Sequence, residues 1–406
     1  MKNANAPFAP AHVRRRPGRR EHGLTLIELL VSLVIGLVLS LAVAGALIAS
    51  EGLRRTSTSV NDLNLSGNVV AFQLDRTLRT AGSGFSQRWP ETYGCRVLAS
   101  RTVSGVTTQV LPRTAAFPAP FAGVPVTVRL APVLIRKGAA NTGGDVLVVM
   151  AGTSGFSEAS VRPNTGSVTA NSLLLPTALG IRASDLMLVS DTDLGDCMVQ
   201  QVAAGHVATA AQTVNLGGQM AAASVAGVNL AAFGTTGRSL VSLLGNADNN
   251  PPAFTMFGVG ANDTLMSFDL LRVAATDTGV VRPFYENVVE MRALYGVTNA
   301  GNLAGTVDQW IDPLNTDVTW SYAALTNGSA ASAANLRRIV AVRVGLIVRA
   351  ALPEREVVSP ATVVLFGDLP AAQRQTRTLT TAERNMRMRT FDFTVPLRTV
   401  QLQALP

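Results

Sequence analysis

From Leu24 to Ile48 the chain is apolar for 25 residues, with Glu28 as the single ionisable side chain. At about 1.5 Å per residue, a helix of that length crosses a hydrocarbon layer of about 30 Å. The pattern then changes. Val60, Leu63, Gly67, Val70, Leu74 and Leu78 recur every three or four positions, while Asp62, Asp75, Arg76 and Arg79 fall off that stripe. This spacing predicts one amphipathic face on a continuing helix. Gly82-Ser83-Gly84 predicts its end. One helix from about Thr25 to Ala81 is therefore expected, with an apolar half at 24–48 and an amphipathic half at 49–82 that lies against a sheet.

Beyond residue 82 the period shortens to two. Val340, Val342, Val344, Leu346 and Val348 alternate onto one face, and Ile339, Arg343, Ile347 and Arg349 share the other. Phe391, Phe393, Val395 and Leu397 alternate in the same way. Gly143-Gly144 followed by Asp145–Met150 reads as a turn and a buried strand, and Leu186–Val189 reads as another. The stretch 203–262 is rich in Ala, Gly, Asn and Thr and is expected as loops with short strands, an elaboration on the main body. The fold class is α+β, with a β-rich globular head over 83–406.

Charge changes the picture at one end only. Residues 1–23 hold Lys2, Arg14, Arg15, Arg16, Arg19 and Arg20 against Glu21, a net of +5 out of the chain's +8, which leaves +3 for the rest. A basic segment before an apolar span marks the side that stays in the cytoplasm, so the head is expected outside it. No A-x-A cleavage site follows the span, unlike an ordinary secretory signal. At 15% charged and 47% apolar, the composition excludes a charge-driven disordered chain.

Glu28 is costly in an apolar helix unless something compensates it. The residues around it are Gly23-Leu24-Thr25-Leu26-Ile27-Glu28. This order of Gly, apolar, Thr, two apolar residues and Glu resembles the type IV prepilin signal. The resemblance implies that a prepilin peptidase cuts between Gly23 and Leu24, that 1–23 is a cytoplasmic leader, and that Leu24 is then N-methylated. It also implies a filament in which the Glu28 carboxylate meets the Leu24 amine of a neighbouring subunit. Gly36 and Gly45, inside the apolar half, fit either close helix packing in the membrane or a segment that bends on leaving it.

A narrower resemblance follows from later blocks. Leu74–Gly82 with Tyr93-Gly94-Cys95, Glu286–Val297, Val307–Trp310, Arg338–Arg349 and Arg389–Arg398 occur in the order seen in PilW-type minor pilins. The resemblance implies a pilin-like fold, a long N-terminal helix packed on an antiparallel sheet head with β elaborations. It implies a subunit of type IV pilus assembly or initiation near the fibre tip. The implied partners are other minor pilins, the major pilin and the inner-membrane assembly platform. The precursor would be single-pass in the inner membrane with its head in the periplasm, and later part of the pilus at the cell surface. A type II secretion pseudopilin shares the leader and is the nearest alternative; a DNA-binding or adhesive subunit displayed on the pilus is another.

The remaining chemistry is sparse. Cys95 and Cys197 are the only cysteines, and an even pair on the exported side favours a disulfide over two separate buried thiols. Asp191, Asp193, Gly195 and Asp196 have the alternating oxygens of a calcium loop but lack its closing acid, and a solvated turn accounts for them as well. Asp308, Asp312 and Asp317 form a looser acidic stretch. Arg374, Arg377, Arg384, Arg387, Arg389 and Arg398 form a basic cluster that suits a solvated face, a subunit contact or nucleic-acid phosphate. No nucleotide loop, nucleophile elbow or zinc motif is present, and no enzyme activity, metal or cofactor is expected.

Overall fold

The structure is a computed structural model that describes residues 23, 25–154, 160–207, 212–273, 279–302 and 305–401, with backbone alone at 49, 52, 53, 55 and 56. The chain divides into two units, residues 1–58 and 59–406. The helix Leu26–Arg79 begins in the first unit and ends in the second.

The first unit contributes the apolar half of that helix. In the second unit Leu63, Gly67, Val70, Leu74 and Leu78 are buried, as their spacing requires of a face turned to a core. The helix stops where Gly82 takes a φ of +83°, a conformation that costs a residue with a side chain. The Gly82 N–H donates to Met150 O at 2.8 Å, and the Gly152 N–H donates to Ser83 O at 2.7 Å. The helix end is thus pinned to the strand Val146–Ala151.

Three main sheets build the head. The first runs in the order Leu240–Asn246, Asp185–Asp191, Asp196–Gln201, Arg96–Val103, Val106–Leu111. Arg96–Val103 and Asp196–Gln201 are parallel, and the other pairs in it are antiparallel. The second has the order Arg282–Tyr285, Thr264–Asp269, Ala253–Gly260, Val146–Ala151, Val133–Arg136, antiparallel throughout. The third has the order Gln309–Ile311, Val288–Val297, Ile339–Arg349, Met388–Pro396, also antiparallel throughout.

Apolar side chains from the helix, the second sheet and one face of the third make one core. Two smaller cores cover the far faces. In the first sheet Val97, Leu188 and Val199 point to the main core, while Leu98, Met187 and Val189 point to a second one. That is why Leu186–Val189 reads as an unbroken apolar run: both faces of the pleat are covered.

One expectation changes here. The stretch 203–262 contains two core strands, Leu240–Asn246 and Ala253–Gly260, and its Val214, Val225, Leu230 and Phe233 fill the second core. Its Ala/Gly background hides this, because burial there comes from a few large side chains spread over a long segment. The structure also decides the setting of strand Ile339–Arg349. Both of its faces are covered, since the hairpin Thr362–Leu365/Gln375–Thr378 and Phe366 close over Ile347, Val289 and Leu294. Arg343 remains on that covered face by pairing with Asp368 and lying over the Phe366 ring, with its guanidinium carbon 5.5 Å from the ring centre.

Candidate functional site

The N-terminal segment carries the sequence motif. Gly23 is exposed, with open space where a side chain would stand. Leu24 and the basic residues 1–22 lie outside the described residues. Thr25 starts the helix. Its Oγ1 accepts from the Glu28 N–H at 3.4 Å, while Glu28 Oε2 accepts from the Thr25 N–H at 3.2 Å and from Thr25 Oγ1 at 3.0 Å. This is a reciprocal capping box, legible in the sequence as Thr-x-x-Glu. Glu28 therefore has a role within its own chain: its carboxylate satisfies the Thr25 N–H and places negative charge at the positive end of the helix dipole. Its second oxygen, Oε1, makes none of these bonds.

Leu26–Ile48 spans 23 residues with a mean hydropathy of 2.7, and none of it is buried. The hydroxyls of Ser32, Ser40 and Ser50 fold back onto the carbonyls of Leu29, Gly36 and Leu47 at 3.0, 2.8 and 2.9 Å. Such bonds leave no unmet serine donor on this surface. Gly36 and Gly45 both face open space, so no contact among the described residues demands a glycine there.

Gly67, in the second half, behaves differently. A methyl group on it would collide with the Phe391 ring, which lies against the helix backbone. Arg389 on the same strand reaches Asn64 on the helix. The sequence stripe marks Gly67 as an apolar position; its need to be a glycine follows only from the strand that crosses it.

Cys95 and Cys197 form a disulfide with Cα atoms 5.6 Å apart. It sits at the start of the parallel pair, where Val97 stands opposite Cys197 and Arg96 opposite Asp196. Arg96 grips Asp196 with two hydrogen bonds of 2.7 and 3.0 Å. Parallel strands need a long connection, and here a covalent and an ionic link hold the pair.

The acidic stretches serve the fold. Asp191 is buried rather than solvated: its Oδ1 accepts from the N–H groups of Asp193 and Leu194 at 2.9 and 3.2 Å, and its Oδ2 accepts from Ser239 and Thr236. Asp193 pairs with Arg238 and Asp196 with Arg96, so these carboxylates diverge. Asp308 accepts from Asn299 N–H at 2.7 Å and Asn302 Nδ2 at 2.8 Å, bonds that hold its carboxyl below the usual range. Asp317 caps Thr319 and Trp320, and Asp312 pairs with Lys137.

The C-terminal arginines are also committed. Arg377 pairs with Glu290 and Glu383 at 2.7 and 2.6 Å, and Arg387 pairs with Glu354. Arg374 donates to Leu369 O at 2.7 Å and Arg384 to Ser359 O at 3.5 Å. Arg398 is exposed. Apart from Arg398, these groups hold the head's own loops. Arg377 also belongs to a chain of charges that the sequence did not reveal: Lys137, Asp145, Arg292, Glu290, Arg377 and Glu383 pair in succession. Asp145 joins two sheets, because its Oδ2 accepts from the Ala293 N–H at 3.0 Å and its own N–H donates to Met291 O at 3.0 Å.

The late sequence blocks explain themselves as scaffold. Met291 and Tyr295 are fully buried, and the Tyr295 hydroxyl accepts from the Ile135 N–H at 2.6 Å, with burial pushing the phenol's pKa up. Gly296 leaves room for Trp310, whose ring would stand 2.8 Å from a side-chain carbon there.

Residues 257–399 match the family model for type IV pilus-assembly protein W, and residues 18–44 match the prokaryotic N-terminal methylation motif. The first match covers the third sheet with its covering hairpin; the second brackets Gly23, Leu24 and Glu28. No curated protein and no solved structure matches the chain. The families are structural components of pili; an apolar helix with this motif fits membrane anchoring and display on the pilus, in contact with other pilins and the assembly machinery. An exposed, capped apolar helix, an α+β head and these two matches together support a PilW-type type IV pilin, a minor pilin in pilus assembly.

Proposed function

We propose that the subunit primes pilus assembly near the fibre tip together with other minor pilins. In this reading residues 1–23 are a cytoplasmic leader, 24–48 the membrane and filament-core helix, 49–82 its amphipathic continuation and 83–406 the periplasmic head. The prepilin peptidase cleaves between Gly23 and Leu24, and the Leu24 amine is methylated. The subunit is structural rather than catalytic.

The observation that carries this reading is the wholly unburied helix Leu26–Ile48, begun by the Thr25–Glu28 capping box beside Gly23. Glu28 Oε2 is held by Thr25, and the carboxylate still presents Oε1 to the amine of an adjoining subunit. Capping and subunit pairing thus use different oxygens of one side chain.

Mass spectrometry of sheared pili tests the processing: a 24–406 chain with a methylated N-terminus is expected, and a chain retaining residues 1–23 in pili would refute it. Glu28→Ala tests the pairing. It leaves membrane insertion and cleavage intact, weakens the helix start by about 1 kcal/mol through the lost cap, and lowers incorporation into pili. Wild-type incorporation of that variant, with pilus number unchanged, refutes the charge pair.

A further inference from the structure

Beyond residue 23, every Lys or Arg position is arginine except Lys137; the chain's other lysine is Lys2. Lys137 follows the strand Val133–Arg136, and its side chain is 12% exposed. Its Nζ lies 2.7 Å from Asp312 Oδ1 and 3.7 Å from Asp145 Oδ2. The two carboxylates are as deeply set, with side chains 10% and 0% exposed. An arginine fork would bridge two carboxylates well and would never lose its proton. What lysine offers instead is a primary amine that becomes a nucleophile once neutral.

The surroundings divide the remaining roles. Asp312 Oδ2 accepts from Gln375 Nε2 at 2.7 Å, a donor that polarises the carboxyl carbon and stabilises negative charge developing on that oxygen. Asp145 is fixed by the N–H groups of Gly138 and Ala293, each at 3.0 Å, and by Arg292 at 3.1 Å. Burial pushes the Asp145 carboxyl up against the pull of Lys137 and Arg292, so it takes up a proton more readily than an ordinary aspartate. Despite their short separation, Lys137 Nζ and Asp312 Oδ1 lack hydrogen-bond alignment.

We propose that Lys137 and Asp312 condense into an intramolecular amide, with Asp145 as the proton carrier. The buried ion pair first exchanges a proton, leaving an amine and a carboxylic acid. Nζ then attacks Asp312 Cγ. Asp145 takes the proton released by the attacking nitrogen and passes it to the departing hydroxyl. One N–C bond forms, one C–O bond breaks and one water leaves; no electrons are transferred and no co-reactant is consumed. The product ties residue 137, at the end of an edge strand of the second sheet, to residue 312, just past the edge strand Gln309–Ile311 of the third. The disulfide holds the first sheet, so each of the three sheets then carries a covalent tie.

Intact mass of the full chain, purified in detergent with its disulfide closed, tests the link. The expected mass is one water below that of the disulfide-bonded polypeptide, and digestion gives a branched peptide containing Lys137 and Asp312. After unfolding, Lys137 resists an amine-acylating reagent. Lys137→Arg keeps the charge and restores the full mass. Asp145→Asn leaves most of the freshly made chain unlinked. A wild-type mass with no water missing, and Lys137 fully acylated, overturns the proposal. A mass deficit that persists in Lys137→Arg overturns it too, because the water was then lost elsewhere. Linkage in Asp145→Asn at the wild-type rate overturns the role given to Asp145.

Discussion

Within the helix Leu26–Arg79, the residues up to Ile48 and those from Leu63 onward share one backbone geometry and differ in what their side chains meet. In the first half every apolar side chain is exposed and the hydroxyls bond to their own helix. In the second half a narrow stripe is buried, and even a glycine is spoken for by a ring across the interface. A helix apolar all round finds its partners outside its own chain, in lipid or in other subunits. A helix apolar on one stripe has already found them. The lesson extends to charge: the head's carboxylates and arginines are largely paired with one another, whereas Glu28 has only its own cap.

Four measurements would break or sharpen this contrast. The largest effect is expected from the staple inside the head. Cys95→Ser opens a cross-link between residues 102 apart, which in the chain-entropy account costs about 4–5 kcal/mol. Cys197→Ser should cost the same and the double variant little more, read as thermal unfolding of the head. Two titratable thiols in the unreduced, unfolded wild type would refute the pairing.

Next come two leucines of one helix. Leu74→Ala empties a fully buried site and should cost about 2–5 kcal/mol of head stability. Leu37→Ala, at an exposed site, should stay within about 0.5 kcal/mol. Equal losses would end the distinction between the halves. The glycines repeat the test at smaller scale. Gly67→Leu must displace the Phe391 ring and should cost about 1–3 kcal/mol, a loss that Phe391→Ala partly relieves. Gly36→Leu meets open space and should leave the head unchanged.

The smallest effect is electrostatic. Burial opposes ionisation of Glu383, but the Thr380 N–H and Arg377 together hold its carboxyl below the usual glutamate range. A depressed folded value contributes stability above the unfolded value of about 4.3 and loses it as pH falls through the folded one. Wild type should therefore exceed Glu383→Gln by under about 1 kcal/mol at neutral pH, and the two unfolding curves should converge in acid. A gap that widens on acidification would contradict the pairing with Arg377.

The sequence by itself determined what depends on neighbours along the chain. The apolar span, the stripe at Leu63, Val70, Leu74 and Leu78, the stop at Gly82 and the Gly23–Glu28 motif are local periodicities and local chemistry, and each was legible without a fold. The Thr25–Glu28 cap is local too, its residues three apart, yet the motif points to Glu28 only as the partner of a neighbouring subunit. The alternation in Ile339–Arg349 showed a strand, but not that a hairpin from residues 362–378 would cover its second face. Tertiary structure alone decided the rest. It brought Phe391 onto Gly67, Tyr295 to Ile135, Arg377 to Glu290, and Lys137 between Asp145 and Asp312. It also turned the Ala/Gly-rich stretch into the lining of a second core. These contacts join residues far apart in the chain, where a side chain's meaning depends on which sheet closes over it, and no spacing between neighbours records that choice.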